Sequence, residues 1–136
     1  MTTSLLSAEA QRVLTAAIAK AEHIGVPMNI AVLDGGAHLK TFHRMDGAVL
    51  GSIDVAIRKA KTAVLFQINS EAVWDYVKPG APAPGLEHTN GGLAVFAGGI
   101  PLKSDSGEVM GAIGVSGGAV PQDYEVAEAG AAFFNL

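Results

Sequence analysis

The densest cluster of side chains that could do chemistry is the run His43-Arg44-Met45-Asp46-Gly47. Arg44 carries a planar guanidinium that can bind a carboxylate through two parallel hydrogen bonds. His43 and Asp46 are residue types that donate or accept protons in general acid–base catalysis. The same run would also suit a solvent-exposed ion pair at the end of a strand. Residue types alone therefore leave a ligand site and an ordinary surface segment both open.

Histidine is the second source of candidate chemistry, at positions His23, His38, His43 and His88. No two of them have the H-x-x-x-H or H-E-x-x-H spacing of a zinc site, and the chain has no cysteine. We therefore expect no zinc and no other protein-bound metal site. A single imidazole is nevertheless sufficient as an axial ligand of haem iron. His23 would lie in the last turn of the first helix, and His88 in a long loop beside Glu87.

A glycine-rich segment, Gly114-Val-Ser-Gly-Gly118, matches the pattern G-x-S-x-G of hydrolase nucleophiles. A hydrolase of that kind needs a histidine after the serine, and no histidine follows His88. The segment is more typical of a turn that leaves a buried strand. The backbone N–H groups of the helix that follows could still bind an anion. No P-loop and no dinucleotide fingerprint is present, so we expect no nucleotide cofactor.

Charge excludes one class of partner and suggests another. The formal net charge is −4, with nine Lys and Arg against thirteen Asp and Glu, which is opposite to the basic footprint of a nucleic-acid-binding protein. Three cations, Arg58, Lys59 and Lys61, nevertheless concentrate on one predicted helix. Such a patch could attract an acidic small ligand, or it could simply be the solvated face of the helix.

Hydrophobic periodicity and turn residues predict the elements that position these groups. The predicted helices are 7–24, 49–66, a short helix 70–77 and 121–134, and the predicted strands are 29–33, 39–42, 93–97, 100–103 and 109–116. Residues 78–92 have no periodicity and form a long loop, of the kind that is usually functional or acts as a lid.

This order of elements implies an antiparallel sheet with helices outside it, an α+β fold. With 136 residues, of which 49% are hydrophobic, we expect one domain spanning residues 1–136. The first residues show no basic segment followed by an apolar one, and no apolar run is long enough to span a membrane. We therefore expect a cytoplasmic protein with no membrane contact.

The same segments resemble the GlcG/HbpS-like haem-binding family, which includes the C-terminal domain of PduO-type corrinoid adenosyltransferases. The matching residues are Ile30-Ala-Val-Leu-Asp-Gly-Gly36, Arg44-Met-Asp-Gly-Ala48 after Phe42, Lys59-Ala-Lys-Thr-Ala63, Gly98-Gly-Ile-Pro101, Gly111-Ala-Ile-Gly-Val-Ser-Gly117 and Gln122-Asp123. The resemblance implies a profilin-like antiparallel sheet flanked by helices, assembled into homo-oligomers that are often octamers. It also implies haem as the expected cofactor, or a related tetrapyrrole or corrinoid.

The resemblance further points to a common pocket at a sheet edge or a subunit interface. Its predicted members are Arg44, Asp46, Lys59, Ser116, Gly117 and Asp123, with His23, His43 and His88 as candidates to ligate iron. Among these, His23 resembles the region in which a PduO-type histidine binds haem.

Three functions follow as hypotheses. The first is a small-molecule binding protein, for haem or a related tetrapyrrole, in a cytoplasmic homo-oligomer. The second is a cofactor-free lyase or isomerase acting on a small carboxylated metabolite, in which His43, Asp46, His88 and Asp123 would supply acid–base groups. In that enzyme Arg44 or Lys59 would hold the carboxylate. The third is a scaffold that accompanies a partner enzyme of a catabolic pathway.

Overall fold

The secondary structure alternates helical segments with two pairs of strands. The computed structural model describes residues 4–134, so the ends of the predicted domain, 1–3 and 135–136, lie outside the described residues. The elements are α1 (Ser7–Ile24), β1 (Asn29–Asp34), β2 (Leu39–Arg44), α2 (Ser52–Phe66), α3 (Trp74–Val77), β3 (Gly99–Lys103), β4 (Val109–Ser116) and α4 (Val120–Phe134). Two 3₁₀ turns, Ser70–Val73 and Leu86–His88, precede α3 and β3 respectively.

The four strands form one sheet in the order β2-β1-β4-β3, and all neighbouring strands are antiparallel. Helix α2 packs on one face of this sheet, and α1 and α4 pack together on the other. The predicted α+β, profilin-like class with a helix-flanked antiparallel sheet is therefore confirmed. Within residues 4–134, no helix combines the length and the apolarity needed to cross a bilayer.

Side chains of β1 alternate between the two layers, as the two-residue period of a strand requires. Ile30 and Val32 pack against α1 and α4, whereas Ala31 and Leu33 pack against α2, and all four are buried. Both faces of the central strand are thus covered by helices. This explains why β1 reads as a continuous apolar run instead of an alternating one.

Helix α2 lies unusually close to the sheet because small residues face each other there. A Cβ atom added to Gly114 of β4 would lie 2.6 Å from the Ala60 backbone nitrogen, and it would also collide with the Ala56 carbonyl. Gly114 is the first glycine of the G-x-S-x-G segment. The structure therefore gives this glycine a packing role, in agreement with the rejection of a hydrolase nucleophile.

One predicted strand is wrong. Residues 93–97 form no strand, and β3 begins only at Gly99. Backbone groups of this stretch bond outside the sheet: Ala94 N donates to Thr62 Oγ1 (3.1 Å), and the Phe96 carbonyl accepts from Ser70 Oγ (2.7 Å). Because these partners replace a neighbouring strand, β-forming residue types at these positions do not produce a ladder.

The start of α2 differs from the predicted boundary, and the long loop 78–92 has partners on that helix. Helix α2 begins at Ser52 instead of residue 49, because the backbone turns at Val49 and Leu50 before the helix starts. The loop 78–92 is tied to α2, with Lys61 Nζ donating to the Asn90 carbonyl (2.6 Å) and Arg58 donating to the Gly92 carbonyl (3.1 Å). These two members of the basic patch therefore hold a loop.

The close packing of α2 gives a test of the fold. Gly114→Ala should lower the free energy of unfolding by about 1–3 kcal/mol or more, because an added methyl group overpacks the interface between β4 and α2. Denaturation in urea, followed by circular dichroism, measures this loss. The control is Gly51→Ala, where an added Cβ meets nothing within 4 Å. An unchanged urea midpoint in Gly114→Ala would contradict the tight packing.

Candidate functional site

A buried ion pair lies where β4 meets the start of α4. Lys59, in the middle of α2, is fully buried, and its Nζ donates to Asp123 Oδ2 (3.0 Å) and to the Val115 carbonyl (2.9 Å). The same ammonium lies 4.8 Å from the centre of the Phe96 ring. One side chain from α2 thereby contacts β4, α4 and the segment before β3.

Asp123 is fixed from two sides. Its Oδ1 accepts from the Gly118 backbone N–H (2.9 Å), while its Oδ2 accepts from Lys59. Burial raises the pKa of the Asp123 carboxyl, against the opposing effects of the Lys59 charge and the Gly118 N–H. Burial likewise lowers the pKa of the Lys59 ammonium, against the attraction of Asp123. Each charge is thus retained in the interior by the other.

Glycine at position 98 leaves the space that the Lys59 side chain occupies. A Cβ there would lie 2.8 Å from Lys59 Nζ, and the backbone has a φ of +131°, a region that disfavours L side chains. The following Gly99 N–H donates to Ser70 Oγ (2.9 Å). A Cβ on Gly99 would collide with the Lys59 backbone carbonyl. Both glycines are therefore explained by close approach of the backbone and the side chain of Lys59, with the Val115 carbonyl also close to Gly98.

The predicted pocket residues divide into two groups. Lys59, Asp123 and the Ser116-Gly117 turn lie together at the end of β4, whereas Arg44 and Asp46 are exposed at the end of β2. Arg44 and Ser116 both pair with Asn29 of β1, so their backbones lie about 10 Å apart across two strand spacings. Within residues 4–134, no hydrogen bond or ion pair connects the two groups. That all six contact a ligand stays a prediction, and the buried pair has a structural role.

The histidines named as candidates lie on three different elements. His23 is in the last turn of α1, His43 is on the edge strand β2, and His88 ends the second 3₁₀ turn. All three are exposed.

The four acid–base candidates, His43, Asp46, His88 and Asp123, are not joined to one another by any hydrogen bond or ion pair of the described residues. Asp123 is in addition buried and already paired with Lys59. That these four act as acid–base groups stays a prediction.

A groove on α1 was not predicted from the sequence. It has a volume of about 610 Å³ and is lined by Ala8, Gln11, Arg12, Thr15, Ala16, Ala19 and, from α4, Phe133. Continuing the same face by one helical turn leads from Ala19 to His23. The available signal was a run of alanines on the solvent face of an amphipathic helix, where charged residues are expected.

A second cleft, of about 440 Å³, lies beside the buried ion pair and was also missed. Its walls are Glu71, Trp74, Val95, Phe96, Ala97 and Val120. The sequence signal was the single tryptophan of the chain, three residues after Glu71 and therefore on the same face of a helical turn. The strand that the sequence predicts over residues 93–97 would place Val95, Phe96 and Ala97 in the sheet and not beside Trp74, so the cleft does not follow from the sequence.

The structure defines a class of protein: a single α+β domain with a four-stranded antiparallel sheet and two surface depressions. Residues 5–132 match the family described as haem-degrading protein HbpS-like. The chain belongs to this HbpS-like family, which confirms the resemblance seen in the sequence motifs.

Known proteins similar to this chain include one curated relative and two solved structures. A 15.0 kDa protein of Citrobacter freundii, encoded between dhaT and dhaS, is 40% identical over 122 residues, or 89% of this chain and 85% of that one. The crystal structure of protein ORFY of Klebsiella pneumoniae superposes with a TM-score of 0.94 at 32% identity, covering 98% of this chain and 92% of that one. A crystal structure of a PduOC–haem complex superposes with a TM-score of 0.90 at 33% identity, covering 96% and 95%.

The buried pair gives a stability test with a defined dependence on pH. Lys59→Met removes the counter-charge of Asp123 and should cost about 3–5 kcal/mol of unfolding free energy at neutral pH. Without Lys59 the pKa of Asp123 in the folded state rises further above its ordinary 3.8, so the folded state holds the proton more tightly than the unfolded chain. Stability should then fall as the pH rises from about 4 through that raised pKa. Urea titrations across this range measure the slope.

The matched control for this test is Lys59→Met combined with Asp123→Asn, which keeps an oxygen acceptor for the Gly118 N–H. This double variant should regain part of the stability and lose the pH-dependent part of the deficit. A loss in Lys59→Met that is equal near pH 4 and at neutral pH would show that packing, and not the buried charge, accounts for it.

Proposed function

We propose that this chain binds haem, or a closely related tetrapyrrole or corrinoid, on the exposed face of α1 between Arg12 and His23. The observation that carries the proposal is the alanine-lined groove of about 610 Å³ with a cation within it and an imidazole beyond its end. Membership of the HbpS-like family and the similarity to a PduOC–haem complex support the choice of ligand. The proposal concerns binding and assigns no reaction.

The shape of the groove suits a flat, apolar ring system. Ala8, Ala16 and Ala19 present only methyl groups along about three helical turns, so a planar ligand can lie close to the helix backbone. Phe133 from α4 stands at the side of the groove and is 43% exposed, which leaves its ring available to pack against a macrocycle. These contacts would supply most of the binding free energy through burial of apolar surface.

A polar group within the groove and another beyond its end match the two kinds of polar group on haem. Arg12 and His23 are eleven residues apart, which places them on one helix face about 16 Å apart along the axis. The Arg12 guanidinium suits a propionate carboxylate, to which it can donate two hydrogen bonds. The exposed His23 imidazole would supply a nitrogen ligand to the iron. Haem bound there would supply an iron centre with one protein-derived nitrogen ligand.

The other candidate residues fit this ligand less well. His43 and His88 lie outside the lining of the groove, and Lys59 and Asp123 neutralise each other in the interior. Arg44 and Asp46 are exposed at the end of β2 and stay predictions as ligand contacts.

We further propose that the chain acts as a homo-oligomer, with the octamer implied by the family resemblance as the expected size. An open groove on one helix covers one face of a planar ligand, and a neighbouring subunit would cover the other. Large apolar side chains such as Leu6, Val49 and Leu50 are more than 60% exposed in the single chain, which supports further contacts between copies. The cytoplasmic location stays a prediction from the sequence.

Titration of the purified protein with hemin tests the site. The wild type should give a sharp Soret band that saturates at a fixed ratio per subunit, with the oligomer mass measured by light scattering. His23→Ala should remove the ligated spectrum, while His38→Ala, which replaces an exposed histidine in the turn between β1 and β2, should leave it unchanged. Arg12→Ala should weaken binding by about tenfold, the effect of losing one charge-assisted interaction.

Three results would overturn this assignment. An unsaturable rise in absorbance would mean adsorption of hemin to apolar surface. A ligated spectrum that survives in His23→Ala but disappears in His43→Ala or His88→Ala would move the site to β2 or to the second 3₁₀ turn. Unchanged affinity in Arg12→Ala would remove the propionate contact.

A further inference from the structure

The cleft beside the buried ion pair contains a carboxylate with no partner. Both carboxylate oxygens of Glu71 are buried, and neither accepts a hydrogen bond within residues 4–134. Burial of an ionised carboxylate without donors is costly, and buried polar groups are normally satisfied. Glu71 is itself part of the cleft wall, so a ligand in the cleft lies against this residue, and a change in its side-chain torsions would bring the two oxygens to the ligand.

Glu71 forms no ion pair within residues 4–134. Lys59 contacts the Phe96 ring of the same cleft, but its charge is already paired with Asp123 at 3.0 Å. The charge of Glu128 is the largest cause of the raised pKa of Tyr124, and Glu71 adds to this effect, which places two acidic groups near that hydroxyl. The cleft therefore lies in a region of excess negative charge, and a cation is the complementary ligand.

The rest of the cleft wall is apolar and aromatic. Trp74 and Phe96 are 46% and 43% exposed, so both rings can contact a bound molecule, and Val95, Ala97 and Val120 complete the wall. The faces of such rings attract a cation placed within about 6 Å of the ring centre. No three acidic or histidine side chains of the described residues converge as metal ligands, which favours an organic cation over a metal ion.

We propose that this cleft binds a small organic ammonium ion, with its N–H groups donated to the Glu71 carboxylate and its hydrocarbon body between Trp74 and Phe96. A primary alkylammonium fits better than a quaternary one, because it brings the hydrogen-bond donors that Glu71 lacks. The volume of about 440 Å³ lies within the range of small-molecule pockets. This site is separate from the groove on α1, and it does not depend on haem binding.

Trp74 is the only tryptophan of the chain, so its fluorescence reports on this cleft alone. The probe is n-hexylammonium, titrated into the full-length protein, and 1-hexanol is its neutral analogue of equal size. Hexylammonium should change the Trp74 emission saturably, with an affinity at least about tenfold higher than that of hexanol. Tetramethylammonium, which has the charge but no N–H donor, should bind more weakly than hexylammonium.

Variants separate the proposed contact from its alternatives. Glu71→Gln should reduce the preference for hexylammonium over hexanol to about twofold or less, while Glu87→Gln, which removes another partly buried carboxylate outside the cleft, should keep it. Equal binding of hexanol and hexylammonium would mean a merely apolar cleft and would overturn the proposal. So would a Glu71→Gln variant that changes the oligomer mass but not the titration, since a neighbouring subunit would then hold the carboxylate.

Discussion

The buried contact between Lys59 and Asp123 is the interaction on which the arrangement of layers depends. It links the helix on one face of the sheet to a helix on the other, and the Val115 carbonyl at the end of β4 is its third member. Two opposite charges that leave water together are costly, and removing one of them is more costly still. Gly98 leaves room for the Lys59 side chain and the Gly118 N–H donates to Asp123, so one ion pair accounts for several sequence features.

The shapes of the cleft beside Phe96 and of the groove on α1 follow from how the interior is packed. The cleft beside Phe96 exists because residues 93–97 are held by side chains of α2 and of the turn at Ser70, and so cannot pair as a strand. The groove on α1 exists because that helix turns its apolar stripe inward and presents alanines to solvent. The first region has an uncompensated carboxylate, and the second has a guanidinium and an imidazole. The two regions therefore favour ligands of opposite charge.

Prediction from the sequence was most accurate where structure depends on neighbouring residues alone. The span of α1, the hairpin around Asp34 and the long strand ending at Ser116 follow from periodicity and turn residues. It failed at residues 93–97, where tertiary hydrogen bonds replaced a strand ladder. It predicted Lys59 as a ligand contact and gave no sign of its pairing with Asp123, because a lysine in a family motif looks the same whether its charge is neutralised inside the protein or offered to a ligand.

The sequence by itself determined the α+β class, the family, the absence of cysteine chemistry and the residue types available for a site. These properties follow from composition, periodicity and the order of motifs, each of which is visible within single segments of the chain. Only the tertiary structure decided that Lys59 pairs with Asp123, sixty-four residues away, and that Glu71 finds no hydrogen-bond donor among residues 4–134. The partner of a buried charge depends on which helices pack on which face of the sheet. That arrangement joins residues far apart in the sequence, so no single segment predicts it.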